Sequence, residues 1–168
     1  WRSSQPHHAR TRGRQAAWPG EATRQSLYGG GVRVALTHAY SWPEVRRGAE
    51  RYLHEVSRAL ASRGHKVTVL TSAWEGARRE VDQGVRVIRL PRRHECEPQH
   101  EHDYGHQLLR PLFTHRFDAV HSLGTADARA SIRIARGRPG RRTVYTNLGI
   151  PFRWYWEERH DAEFHDFV

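Results

Sequence analysis

VRVALTHAYSWPEVRRGAERYLHEVSRALASRGHKVTVLT, residues 32–71, decides the fold. Val32 to Thr37 is a short run of apolar and β-branched residues interrupted only by Arg33, and it reads as a strand. A polar loop follows from His38 to Arg47, holding Trp42-Pro43 and the pair Arg46-Arg47. From Gly48 onward apolar residues recur at Ala49, Tyr52, Leu53, Val56, Ala59 and Leu60, the spacing of a helix with one buried face. Gly64 stands where a helix end favours a residue at ease with positive φ. Lys66 to Thr71 is then a second strand. Strand, helix and strand in this order make a βαβ unit with a right-handed crossover. Both strands are apolar at nearly every position, as a parallel sheet covered on both faces requires.

The loop after the first strand is the chemically receptive corner of such a unit. Unpaired amides at the helix start point into it, and the helix dipole favours an anion there. Gly48 permits close backbone approach, while Arg46 and Arg47 add positive charge, so a phosphate or diphosphate is the expected guest. The plainer alternative makes Gly48 a simple helix-start glycine and leaves both arginines solvated.

The same residues resemble a known family. HAYSWPEVRRGAERYLHEVSRALASRGHKVTVLT is similar to the amino-terminal half of family-4 glycosyltransferases of the GT-B fold, through Glu50-Arg51-Tyr52-Leu53 and the run Arg63 to Thr71. The family's glycine pair is reduced here to Gly48, preceded by Arg47. Asp118 to Gly124 (DAVHSLG) resembles the family's Asp-hydrophobic-hydrophobic-His-x-His-Gly motif, with His121 kept and Leu123 at the second histidine. Thr146 to Pro151 (TNLGIP) resembles its Thr-x-His-Gly-x-Pro loop, with Leu148 where histidine is common.

The resemblance implies a retaining transfer of a sugar from a nucleotide-diphosphate donor to a glycan, lipid or small-metabolite acceptor. The nucleotide-sugar is a substrate; no cofactor and no metal are expected. No protein nucleophile is implied, and the leaving diphosphate helps deprotonate the acceptor. The protein then positions the reactants and stabilises developing charge. Carried over by position, His121 takes the catalytic place. Arg47, Gly48 and Gly124 fall on the phosphate and donor side; Arg46, Asn147 and Gly149 fall on the acceptor side. The family holds its donor mostly in a carboxy-terminal Rossmann domain. Residues 32–168 correspond to the amino-terminal, acceptor-side domain, so the chain is expected to need that second domain for activity.

Composition sets the outer bounds. The chain has 168 residues, enough for one ordinary domain, and a hydrophobic fraction of 37%, low enough to expect a segment that does not pack. That segment is residues 1–31, which show no period, end in three glycines and carry five Arg against one Glu. We expect it to be a disordered basic tail, or non-native sequence ahead of a start at Val32; methionine is absent throughout. Net charge is +10, which by itself admits nucleic acid, an anionic membrane or a phosphorylated substrate as partner. No helix-turn-helix, zinc-finger or RNA-motif signature is present, so no specific nucleic-acid partner is expected. No stretch approaches the roughly 20 apolar residues of a membrane span, and no secretory signal is visible. A cytoplasmic place is expected, with peripheral contact at the inner membrane face left open.

Further along, Arg78 to Leu90 reads as a hairpin turning at Asp82-Gln83-Gly84. Residues 92–107 are polar and read as an exposed loop. Their His94, Cys96, His100, His102, Asp103 and His106 are metal-ligand types, but at spacings that fit no strong metal pattern. Cys96 is the only cysteine, which rules out an internal disulfide. Leu108 to Phe113 reads as a short helix broken or started by Pro111, and Phe117 to Ser122 as a strand. Thr125 is the expected N-cap of a helix from Ala126 to about Arg136; Thr143 to Thr146 is a last strand. Phe164, Phe167 and Val168 fit one face of a closing helix. The repeat of strand, loop and helix argues a doubly wound, mostly parallel Rossmann-like α/β sheet.

Three loops leave strand ends on the same rim: His38–Gly48, His121–Thr125 and Asn147–Pro151. Ligands of open parallel sheets sit at such a rim. A dinucleotide oxidoreductase shares the βαβ start, but it wants a G-x-G-x-x-G turn and an acid ending the second strand, where this chain has Thr71-Ser72. Two further alternatives are a non-catalytic binding remnant of the glycosyltransferase fold and a basic nucleic-acid-binding fragment.

Overall fold

The computed structural model describes residues 31–148. The expectations for the tail 1–31 (Gly31 apart), for Gly149 and for the aromatic closing segment fall outside them. The elements are β1 (Arg33–Thr37), α1 (Gly48–Ser62), β2 (Lys66–Ala73), β3 (Arg78–Asp82), β4 (Val85–Pro91), α2 (Glu97–Thr114), β5 (Ala119–Ser122), α3 (Thr125–Arg136) and β6 (Arg142–Tyr145). They form a six-stranded sheet in the order β3-β4-β2-β1-β5-β6. Every pairing is parallel except that of β3 with β4.

Alternation along each strand splits the core into two layers. Leu36, Val67, Val69, Val85 and Val87 pack with Leu53 and Val56 of α1. Their chain neighbours Ala35, Leu70 and Ile88, with Val120 of β5, face the other way, onto Tyr104, Leu108 and Leu112 of α2 and Ala130 of α3. The chain leaves β1 in one direction through α1 to β2, and reaches the opposite side of β1 through α2 to β5. Right-handed crossovers in opposite directions put their helices on opposite faces, which is why α1 is separated from α2 and α3.

Local chemistry sets the boundaries. α1 closes through Gly64 at φ 84, whose amide donates to the Ala61 carbonyl at 2.9 Å, while His65 donates to Leu60 at 3.2 Å. That is a Schellman end, and only a residue without a Cβ adopts it cheaply. The β3–β4 hairpin turns at Gln83 and Gly84, both at positive φ (47 and 81), as a two-residue turn matched to strand twist demands.

Three expectations are corrected. Residues 97–107 are not an exposed loop but the first turns of α2, which begins beside Pro98, a residue suited to a helix start. The buried seam of α2 is His100, Tyr104, Leu108 and Leu112, so two of its four anchors are titratable rings and the apolar period is disguised. Pro111 lies inside the helix and is buried rather than starting or ending it. Thr125 is the first residue of α3, and Gly124, with no side-chain cap, stands at the N-cap. The capping work falls to Asp127, whose carboxylate reaches back to the Leu123 amide at 3.2 Å.

Candidate functional site

Strand order reverses at β1: the chain connects it to β2 on one side, and β5 joins it on the other. In such sheets the crevice outside the carboxyl ends at the reversal receives the ligand. Thr37-His38 of β1 and Ser122-Leu123-Gly124 of β5 meet there, flanked by the amino-terminal ends of α1 and α3.

Two buried carboxylates anchor this crevice. Asp127, 2% exposed, accepts the Thr37 hydroxyl at 2.6 Å as well as the Leu123 amide, and so ties β1 to the β5–α3 loop. Thr37 Oγ1 also lies 2.9 Å from Ser122 Oγ, which lies 2.9 Å from Ser131 Oγ. Gly124 is required by this arrangement, because a Cβ on it would stand 2.5 Å from Asp127 Oδ1. Glu50, in the first turn of α1, is fully buried; its Oε1 accepts Arg47 Nε at 3.1 Å and a terminal Arg47 nitrogen at 3.0 Å. Its Oε2 is buried without a hydrogen-bond partner among the described residues.

His38 stands between the two. Its Nε2 is 3.5 Å from Glu50 Oε1, and its Nδ1 is 3.8 Å from where a Gly124 Cβ would be. Neither nitrogen makes a hydrogen bond among the described residues, although both are buried. Unpaired buried polar atoms are rare and call for a reason, such as a partner that arrives with ligand.

The carboxylates titrate in opposite directions. Burial pushes Asp127 up to about 6, against the hydrogen bond from Thr37 and the charge of His38. Burial acts the same way on Glu50, but the His38 ring 3.5 Å away, the amide of Glu50 itself and the hydrogen bonds and charge of Arg47 outweigh it and hold Glu50 at about 2. An acid with a raised folded pKa supports the fold below its unfolded value and loses that support as pH climbs through the folded one. Wild type is therefore expected to lose about 2 kcal/mol of stability relative to Asp127→Asn between about pH 4 and pH 7. Urea unfolding of both proteins at those two pH values measures it; equal changes in both would refute the assignment.

Beyond His38 the rim is aromatic and basic. The Tyr40 ring is held between Arg47 at 4.8 Å and Arg92 at 5.1 Å, and Arg92 also lies 4.4 Å over Trp74. Burial, then the charges of Glu97 and Glu101, push the Tyr40 hydroxyl up to about 12, so it stays a neutral donor. That hydroxyl has no partner among the described residues. Tyr40, Ser41, Ser72, Trp74 and Arg92 line a cleft of about 220 Å³.

The residues singled out from sequence are placed as follows. Gly48 opens α1, and a Cβ on it would meet nothing within 4 Å. Arg47 is near the rim, but its guanidinium is taken up by Glu50 and, at 2.9 Å, by Glu97. Arg92 has no carboxylate partner among the described residues; its guanidinium donates to the His94 carbonyl at 3.3 Å and the Glu95 carbonyl at 3.5 Å. Arg46 is exposed and lies 5.5 Å over the Trp42 ring. His121 shares a register position with Leu36 and so faces α1, where it meets Tyr52 edge-on. Its Nε2 lies 2.8 Å from Thr146 Oγ1, and burial lowers its pKa. It thus fixes the start of the loop after β6, on which Asn147 follows at the rim; it does not join the His38 cluster.

Thr37, His38, Glu50, Asp127 and Arg92 were not singled out from sequence. Asp127, three residues past an N-cap glycine, carried a readable signal as a back-reaching acid. Of the metal-ligand types, His100 is buried against Ser72 Oγ at 2.9 Å, whereas His102 and His106 share the exposed side of α2. Among the described residues no three such side chains gather as a metal site.

A doubly wound α/β domain with a switch-point crevice and a basic, aromatic rim defines the class. The chain belongs to glycosyltransferase family 4: the model of that family, described as Glycosyltransferase Family 4, matches residues 46–165. Comparison with curated proteins finds no match. Among solved structures, the C-terminal domain of the PF1911 hydrogenase from Pyrococcus furiosus is similar at 12% identity and a TM-score of 0.47, over 70% of this chain and 92% of that one. Among the described residues no helix is long and apolar enough to cross a membrane.

Proposed function

We propose that this domain forms the acceptor side of a retaining glycosyltransferase that uses a nucleotide-diphosphate sugar. The observation that carries the reading is His38, buried between Glu50 and Asp127 at the meeting of two helix starts, with neither ring nitrogen hydrogen-bonded among the described residues. A donor diphosphate lies over the amide end of α1 beside Gly48, where no side chain intervenes and the helix dipole offsets its charge. The acceptor occupies the cleft between Tyr40, Trp74 and Arg92, with the neutral Tyr40 hydroxyl donating to it. The acceptor oxygen attacks the anomeric carbon on the face from which the diphosphate leaves, and its proton passes to the departing phosphate oxygen. The chain's residues position these groups and stabilise charge rather than form a covalent bond. Most donor contacts come from a second Rossmann domain.

The test is release of nucleoside diphosphate by the natural gene product, supplied with a panel of nucleotide-diphosphate sugars and polyhydroxylated or lipid-linked acceptors. Sugar transfer with the anomeric configuration kept is the expected result. Inversion of that configuration would overturn the mechanism, and binding of acceptor without turnover of any donor would favour a non-catalytic member of the fold.

A further inference from the structure

The site leaves one surface of the domain unused, the outer side of α2 and α3. On α2 the exposed residues His102, His106, Arg110 and Phe113 follow one another at helical spacing. On α3 the exposed residues Arg129, Ile132, Arg133 and Arg136 do the same. The two rows are brought side by side by close packing at Gly105, where a Cβ would come within 3.0 Å of the Ala126 carbonyl. A groove of about 670 Å³ runs between them. Neither row contains an acid, and none of Arg110, Arg129, Arg133 and Arg136 pairs with a carboxylate among the described residues. This contrasts with β3 and β4, where Arg78 and Arg89 are matched by Glu44, Glu75 and Glu80. Two large apolar side chains sit among the cations: Phe113 is 60% exposed and Ile132 is 38% exposed. Arg138 lies 4.7 Å over the Phe113 ring, so this aromatic is presented together with a further charge.

We propose that this two-helix face docks on the surface of an anionic phospholipid bilayer. A face of arginines without carboxylate partners among the described residues is attracted to acidic headgroups, and each cation near the surface adds to the partition. Phe113 and Ile132 distinguish a bilayer from a nucleic acid. A phosphodiester backbone needs donors at its own spacing and leaves exposed apolar groups idle. At the headgroup boundary those same groups bury themselves while the arginines stay among phosphates. The face flanks the sheet, whereas the crevice opens at the strand ends, so docking leaves the crevice accessible along the membrane plane.

Sedimentation with phosphatidylglycerol–phosphatidylcholine vesicles at physiological ionic strength tests this on the full chain, with circular dichroism as the control for folding. Arg129→Gln/Arg133→Gln is expected to weaken binding about 30-fold, at about a fivefold loss per charge. Arg79→Gln/Arg86→Gln, an equal charge loss on exposed residues of β3 and β4, is expected to change binding less than threefold. Phe113→Ala is expected to make the remaining binding more sensitive to salt. Equal losses in both double variants would reduce the effect to net charge and overturn the proposal. So would absence of vesicle binding, or tighter binding to duplex DNA than to the vesicles in the same buffer.

Discussion

Gly124→Val is expected to be the most damaging single substitution in the described residues. A Cβ at this N-cap would stand 2.5 Å from Asp127 Oδ1, and the carboxylate has nowhere cheap to go. Its other oxygen is fixed by the Thr37 hydroxyl and the Leu123 amide, and the residue is 2% exposed. Moving it strands two buried donors, at about 1–3 kcal/mol in all. Overpacking adds about 1–3 kcal/mol. A loss of about 3–5 kcal/mol is a large fraction of the 5–15 kcal/mol of roughly any native domain. Urea unfolding measures it, and Gly124→Ala supplies a milder companion at about half the loss. A shift of less than about 1 kcal/mol in the valine variant would mean that Asp127 does not tie the loop to β1.

Gly48→Val is expected to behave in the opposite way. A Cβ there meets nothing within 4 Å, and Gly48 opens α1 with no need for positive φ. Stability should hold or rise by a few tenths of a kcal/mol, since valine is the better helix residue by about that amount. Transfer by the natural enzyme should nevertheless fall by about 100-fold or more, because branched methyl groups would fill the space assigned to a phosphate oxygen and displace the reacting centre. The pair of measurements matters more than either one. Lost transfer at unchanged stability supports the anion site at the α1 start; unchanged transfer removes it.

These two glycines illustrate what the sequence exposes and what it hides. Both stand at helix starts and fall on the phosphate side, Gly48 by its place at the helix start and Gly124 by resemblance. Asp127, three residues past Gly124, is a local hint of a back-reaching acid; what stays hidden is that Thr37, 90 positions away, fixes that carboxylate in place. Elements whose causes are local were legible: the nearly unbroken apolar run of β2, the Schellman glycine at Gly64 and the turn at Gln83-Gly84. The parallel sheet followed from their order. The start of α2 was illegible because His100 and Tyr104 occupy core positions that an apolar count skips. Arg47 was a reasonable phosphate ligand on charge alone. Its claim weakens only when Glu50 and Glu97 arrive from one turn ahead and from α2. His38 escaped notice for a related reason: what makes it unusual is the lack of partners for its nitrogens, and a lack of partners has no sequence pattern.

The two borders of the sheet are not alike. β3 carries Arg78, Arg79, Glu80 and Asp82, a dense row of charge of the kind that discourages a stranger from zipping on. β6, the border strand on the other side among the described residues, is exposed at all four positions, with Val144 at 50% and Tyr145 at 41%. No strand among the described residues pairs with its outer edge, so a visiting backbone would find hydrogen-bonding groups beside the Val144 and Tyr145 side chains. Of the two borders, this is the one less guarded by charge, and it carries the Thr146–Asn147 connection toward the crevice.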